Sequence, residues 1–179
     1  ASQYTGFTNI NLGSGSDTLN VKVTGSFDMS GLGTPSLTSV ENRNLIGGGG
    51  NSNDSITLTG AQLNAFTSVN LGGGKDTINL TSTSTGLNNL SNSALQNVEV
   101  ISAAGAASGV NINLSNQNEG FTIVGGSGND IITGGDGNRD TCEAILKGEV
   151  NASLMYDLKG IGHLGVQTAA QILKGEKVD

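Results

Sequence analysis

The chain has 179 residues, a formal net charge of −7, 29 glycines, one proline and no tryptophan; 35 % of its residues are hydrophobic and only 3 % aromatic. This composition is too poor in large apolar side chains for a conventional globular core, and the acidic balance argues against nucleic acid and anionic membrane surfaces as partners. No run of about 18 apolar residues exists that could span a membrane.

A solenoid tolerates such a composition, because each coil adds only a few small apolar side chains to a thin continuous core. Disorder is the competing reading. Against it, apolar residues recur at strand-like spacing in chain order: Ile10/Leu12, Leu19/Val21/Val23, Ile56/Leu58, Ile78/Leu80, Val98/Val100 and Val110/Ile112/Leu114. Between them lie glycine-rich runs that end in aspartate. These read LGSGSDTLN at 12–20, the stretched GGGGNSNDSIT at 47–57, LGGGKDTIN at 71–79, GGSGNDIIT at 125–133 and GGDGNRDTC at 134–142. Helical turns are predicted at Thr59–Asn64 and Ser91–Gln96, each behind a Ser or Thr cap.

The runs belong to a longer tandem repeat. Phe7 to Gly13 aligns with Phe66 to Gly72, Asp17 to Asn20 with Asp76 to Asn79, and a third start lies at Phe121, giving offsets of 59 and 55 residues. The units are placed at 7–65, 66–120 and, in part, 121–140. The domain reading is a mainly β, parallel β-solenoid or β-roll-like region over 1–140 and a short α/β tail over 141–179. The chain starts within a pattern and is expected to be a fragment or a processed product.

The run G-G-x-G-x-D-x-U-x, with U a large apolar residue, is the unit of a calcium-binding parallel β-roll. Glycines let the chain curl and aim carbonyl oxygens at one point, and aspartate adds a carboxylate for a cation that takes six to eight oxygens. On these residues the region 1–140 resembles the hemolysin-type calcium-binding repeat (RTX) proteins of Gram-negative bacteria. The resemblance implies a secreted, calcium-stabilised protein of surface-layer, adhesin, toxin or exoenzyme-tail type. It implies Ca2+ ligands at Asp130, Asp136 and Asp140 with carbonyls near Gly126, Gly128, Gly135 and Gly137, and weaker candidates at Asp17, Asp54 and Asp76. In a regular roll of this kind each turn stacks on the turn 18 residues later, since two nonapeptides make one coil. The alternative reading of the loops is as plain tight turns.

After Asp140 the glycine runs stop. A short helix is predicted at 141–148, a strand at 151–157 and an amphipathic helix at 161–175. Gly162, Gly165, Val166, Ala169, Leu173, Lys174, Gly175, Glu176, Lys177 and Val178 are similar to the C-terminal end of sugar-type periplasmic solute-binding proteins, with Asp157 at an acidic position that resemblance places near a ligand cleft. The tail is read as a cap on the solenoid or as a joined fragment of that family.

No catalytic constellation is found. His163 is the lone histidine, and Cys142 the lone cysteine, which excludes an internal disulfide framework. There is no G-x-S-x-G turn, and Gly47–Gly50 lacks the Lys-Ser/Thr of a phosphate loop. The expected function is a non-catalytic, calcium-binding structural or adhesive segment of an extracellular or cell-surface protein. Its expected partners are calcium ions, and beyond them copies of itself, other surface proteins or glycans. The alternatives are a calcium-stabilised accessory region of an exoenzyme and, on the tail, a piece of a periplasmic sugar-transport protein.

Overall fold

The structure, a computed structural model, describes residues 2–134 and 153–154. After a short helix α1 (Ser2–Thr5) the chain winds through five rungs. The first holds β1 (Asn9–Asn11), β2 (Thr18–Lys22) and β3 (Ser26–Asp28). The second holds β4 (Ser36–Thr38), β5 (Asn42–Ile46), β6 (Ser55–Leu58) and α2 (Gly60–Asn64). The third holds β7 (Ser68–Asn70), β8 (Thr77–Leu80) and α3 (Gly86–Asn89), and the fourth β9 (Leu95–Gln96), β10 (Val100–Ser102) and β11 (Asn111–Leu114). The fifth holds β12 (Thr122–Val124) and β13 (Ile131–Gly134), to which β14 (Ser153–Leu154) adds.

Every strand pairing is parallel, and the strands stack in four columns: β1-β4, β2-β5-β7-β9, β3-β6-β8-β10-β12 and β11-β13-β14. Helices α2 and α3 lie beneath β11 and begin that fourth column. The mainly β, parallel solenoid arrangement expected from the sequence is therefore present, and β14 falls within the predicted strand at 151–157. Paired residues lie from 20 (Asn111↔Ile131) to 29 (Ser26↔Ser55) positions apart. The regular 18-residue coil is not formed: even the shortest circuit, Asn111↔Ile131, takes 20 residues, and α2, α3 and the long loop at 47–54 lengthen the circuits that contain them.

The alternation of apolar and polar residues decides what points inward. In register, Val21, Leu45, Val69 and Leu95 stack in the second column, and Phe27, Ile56, Ile78, Ile101 and Ile123 in the third. All but Phe27 are buried, in one continuous core. Each such side chain contributes about 1.5–3 kcal/mol by burial, which compensates for strands only three or four residues long.

The helical turn predicted at Thr59–Asn64 forms as α2. Its capping box is complete: Gln62 N–H donates to Thr59 Oγ1 at 3.1 Å and Thr59 N–H to Gln62 Oε1 at 2.8 Å. The buried Gln62 amide also donates to the carbonyls of Met29 and Leu32, at 2.7 and 2.9 Å, tying α2 to the rung beneath. The turn predicted at Ser91–Gln96 forms as one hydrogen-bonded turn, with the Ala94 and Leu95 N–H groups donating to the Ser91 carbonyl at 2.9 and 3.2 Å, and is not continued as a helix. Helix α3 lies just before it, Ser91 Oγ bonds Ser93 Oγ instead of capping, and Leu95 is drawn into β9 in register with Val69.

The sequence repeat and the rungs are out of phase. The first opening runs β1–loop–β2 and joins columns one and two. The second, β7–loop–β8, joins columns two and three, and the third, β12–loop–β13, joins columns three and four. Each unit thus spans two rungs and one further column, and the same corner is laid on a different side of the coil each time.

Candidate functional site

The glycine–aspartate loops form the corners of the coil, and the described ones fall into two kinds. At β1 and β7 the strand ends in asparagine. Asn11 Oδ1 accepts the Gly13 N–H at 3.0 Å, and Asn70 Oδ1 accepts the Gly72 N–H at 3.1 Å. The glycines that follow adopt matching left-handed angles, +95° and +135° at Gly13 and Gly15, +94° and +133° at Gly72 and Gly74. At β5 and β12 the strand ends in Ile46 or Val124, and the N–H two residues on goes to the loop aspartate. Gly48 N–H donates to Asp54 Oδ2 and Gly126 N–H to Asp130 Oδ2, both at 2.7 Å.

This difference sets the state of each carboxylate. Asp54 Oδ1 also accepts the Gly25 N–H from the rung below at 2.6 Å, and Asp130 Oδ1 accepts that of Val110 at 2.8 Å. Asp54 and Asp130 are buried pegs with both oxygens engaged, joining one rung to the next. Asp76 is fully buried, and its Oδ1 accepts the Asp54 N–H at 2.6 Å, but Oδ2 has no partner among the described residues. Asp17, half-buried, has the same unpartnered Oδ2. In both cases asparagine has taken the amide that would otherwise satisfy that oxygen.

The corner between columns two and three stacks acids on successive rungs. Asp54 N–H donates to Asp76, and Asp76 N–H to Glu99 Oε2 at 2.7 Å. Backbone bonds run alongside, from Thr77 N–H to the Asp54 carbonyl and from Val100 N–H to that of Asp76. Asp17 N–H donates likewise to Glu41 Oε2, at 2.8 Å, between the first two columns. Burial holds the Asp76 carboxyl above the usual carboxylate range. The Glu99 and Asp54 charges add to this, while the bond from Asp54 N–H opposes it.

The raised carboxyl has a consequence for stability against pH. The folded chain binds this proton more tightly than the unfolded chain, so the contribution is fully present below the unfolded pKa. It is lost as pH rises through the folded one. Asp76→Asn keeps an acceptor for Asp54 N–H and removes the buried charge. It is expected to flatten this slope and to raise stability at neutral pH. Urea titrations at several pH values check this; a steeper slope or lower neutral stability in the variant contradicts it.

The sequence-predicted ligands are thus dispersed. Asp54 and Asp76 are brought together, Asp17 sits at another corner, and Asp130 at a third. The predicted carbonyl sites at Gly126 and Gly128 lie in a tightly stacked loop: a Cβ at Gly126 would be 2.6 Å from the Ala103 carbonyl oxygen, and one at Gly128 2.2 Å from Gly109 N. Neither glycine carries a left-handed angle, although 125–133 matches the nonapeptide best. Gly135, Asp136, Gly137, Asp140, Cys142, Asp157 and His163, with the helices at 141–148 and 161–175, lie outside the described residues. Among the described residues no three His, Cys, Asp or Glu side chains gather at metal-ligand spacing. Sequence reasoning passed over Glu41 and Glu99, and over Asn11 and Asn70. The signal for the two asparagines was present as N-x-G, where the other loops read I-G-G and V-G-G.

No family model matches the chain, and no solved structure gives a significant match. A stretch of 49 residues is 45 % identical to the ribose import binding protein RbsB of Haemophilus influenzae, covering 27 % of this chain and 17 % of that protein. The chain therefore spans less than a fifth of that relative's length. The match accords with the likeness to periplasmic sugar-binding proteins; none of the comparisons bears on the hemolysin-type repeats. No helix among the described residues is long and apolar enough to cross a membrane.

Proposed function

We propose that this chain is a non-catalytic, calcium-stabilised structural and adhesive repeat segment of a secreted or cell-surface bacterial protein. The observation that carries the calcium part is the buried, unpartnered Oδ2 of Asp76 beside the charges of Asp54 and Glu99. A hard cation drawing on that carboxylate and on corner carbonyl oxygens would offset the charge. Asp54 and Asp130 have less acceptor capacity to offer a cation, since each of their oxygens already accepts one backbone N–H. Calcium that binds the folded coil and not the unfolded chain stabilises by mass action, by about 1.4 kcal/mol at a tenfold excess over Kd.

Melting followed by circular dichroism, in EGTA and in millimolar calcium at neutral pH, tests this. Calcium is expected to raise the Tm of the native chain and to leave that of Asp76→Asn where it was. Equal melting of the native chain in both buffers would remove the calcium mechanism. A calcium response retained by Asp76→Asn would move the site elsewhere, including to the loop at 135–140.

The second reading, a piece of a sugar-uptake binding protein, is favoured by the partial match to RbsB alone. It predicts heat on titrating ribose into the chain, where the first reading predicts none. The accessory-region reading shares the calcium chemistry and differs only in what the segment is joined to.

A further inference from the structure

Along the coil, several asparagine side chains are paired from rung to rung. Asn44 Nδ2 donates to Asn20 Oδ1 at 2.9 Å, Asn97 to Asn70 at 2.8 Å, Asn79 to Ser55 at 3.0 Å and Asn64 to Thr85 at 2.9 Å. The pattern breaks in the fourth column, where the helical turn α3 gives way to the strand β11. A four-residue helix and an extended strand do not stack flush, and among the described residues β11 has a strand neighbour on one edge only, β13. The step leaves a groove of about 160 Å3, open to solvent, lined by Thr83, Ser84, Thr85, Asn89, Asn111 and Asn113.

The lining is uncharged and rich in hydrogen-bonding groups. Thr83 Oγ1 accepts the Asn111 N–H at 3.0 Å and Thr85 Oγ1 accepts from Asn64, so each hydroxyl still has its own hydrogen to give. Asn113 Oδ1 accepts the Ser115 N–H at 3.0 Å, which leaves its amide NH2. The side chains of Asn89 and Asn111 make no hydrogen bond among the described residues, so both their donors and their acceptors are open. On the same outward face, in register with Asn111, stands Ile131, 56 % exposed. A ligand matched to this groove carries no charge and presents neighbouring hydroxyls that donate and accept; Ile131 lies outside the lining, on the far edge of β11.

We infer that the groove between α3 and β11 is a binding site for a neutral saccharide unit, held by the side-chain amides of Asn89, Asn111 and Asn113. The inference gives chemical content to the adhesive part of the proposed function and rests on it. Without an aromatic ring to stack on, one sugar unit is expected to bind in the millimolar range, and strong attachment requires many copies presented together.

The test is amide-resolved NMR on the full chain, titrated with glucose, galactose and N-acetylglucosamine, and with inorganic phosphate and cyclohexanol as charged and largely apolar controls. Saturable shifts of the side-chain amides of Asn89, Asn111 and Asn113 are expected with at least one sugar and with neither control. Asn111→Ala combined with Asn113→Ala is expected to weaken binding about tenfold at unchanged Tm. Should that variant unfold, Asn89→Ala at the exposed rim provides the same comparison. No saturable shift with any sugar, shifts centred elsewhere, or equal shifts with phosphate would each overturn the inference. Calcium melts on the same samples separate the two proposals. A calcium response without sugar shifts sinks the groove alone, and sugar shifts without a calcium response sink the calcium mechanism alone.

Discussion

Gly47→Ala is expected to cost about 3 kcal/mol. A Cβ at this position would lie 1.7 Å from the Leu71 carbonyl oxygen and 2.4 Å from its carbon. Both atoms are backbone, so no change of rotamer relieves the contact. Gly47 N–H also donates to the Asn70 carbonyl at 2.9 Å, directly after the register pairs Leu45↔Val69 and Ile46↔Asn70. Any shift that admits the methyl group pulls the ends of β5 and β7 apart, in the column whose inward side chains include the fully buried Leu45 and Val69. Gly33→Ala is the control. No atom comes within 4 Å of its added Cβ, and its backbone is not left-handed. Alanine there is expected to be neutral or to stabilise slightly by restricting the unfolded chain. Urea denaturation followed by far-UV circular dichroism compares the two. Equal midpoints would mean that the loop after β5 does not stack on Leu71 as described.

Asp54→Ala carries the second large effect. It removes the acceptors of two N–H groups at once, Gly25 on the rung below and Gly48 in its own loop. Each orphaned amide costs about 1–3 kcal/mol, so a total of about 3 kcal/mol is expected. Asp54→Asn keeps one acceptor and is expected to lose about half of that. Asp17→Ala, at a corner whose Gly13 amide is already held by Asn11, is expected to cost under about 1 kcal/mol. Hydrogen exchange gives a local readout beside the denaturation midpoint: the Gly25 and Gly48 amides should lose protection in Asp54→Ala. Equal losses in the Asp54 and Asp17 variants would contradict the division of the corners into two kinds.

The parallel winding was legible because alternation in short segments such as Ile56/Leu58 and Ile78/Leu80 states which side chains face inward. The capping box of α2 was legible because Thr59 and Gln62 stand at the spacing that reciprocal capping requires. The length of the circuit was not, since it varies with what each corner holds: a three-residue connection at Val23–Gly25, a long loop at 47–54, a helical turn at 60–64. Three-residue strands such as β3 and β4 carry too few residues to show a period, and they form because a neighbouring rung offers a register. The site was legible in part. The aspartates stood out, but the state of their carboxylates depends on whether asparagine or an aliphatic residue closes the preceding strand, and glycine count does not report that. The best nonapeptide, at 125–133, makes a saturated peg at Asp130, whereas the weaker copy at 71–79 holds the buried aspartate with an unpartnered oxygen.

The offset between the repeat and the rungs makes each unit act like a screw thread with a fractional turn. Removing one unit of this kind would do more than shorten the coil. It would also swing everything downstream about the long axis by one face, so that the groove beside α3 would point in another direction relative to the N-terminal end. The number of units therefore sets bearing as well as reach, and a chain of such units can aim a surface by length alone.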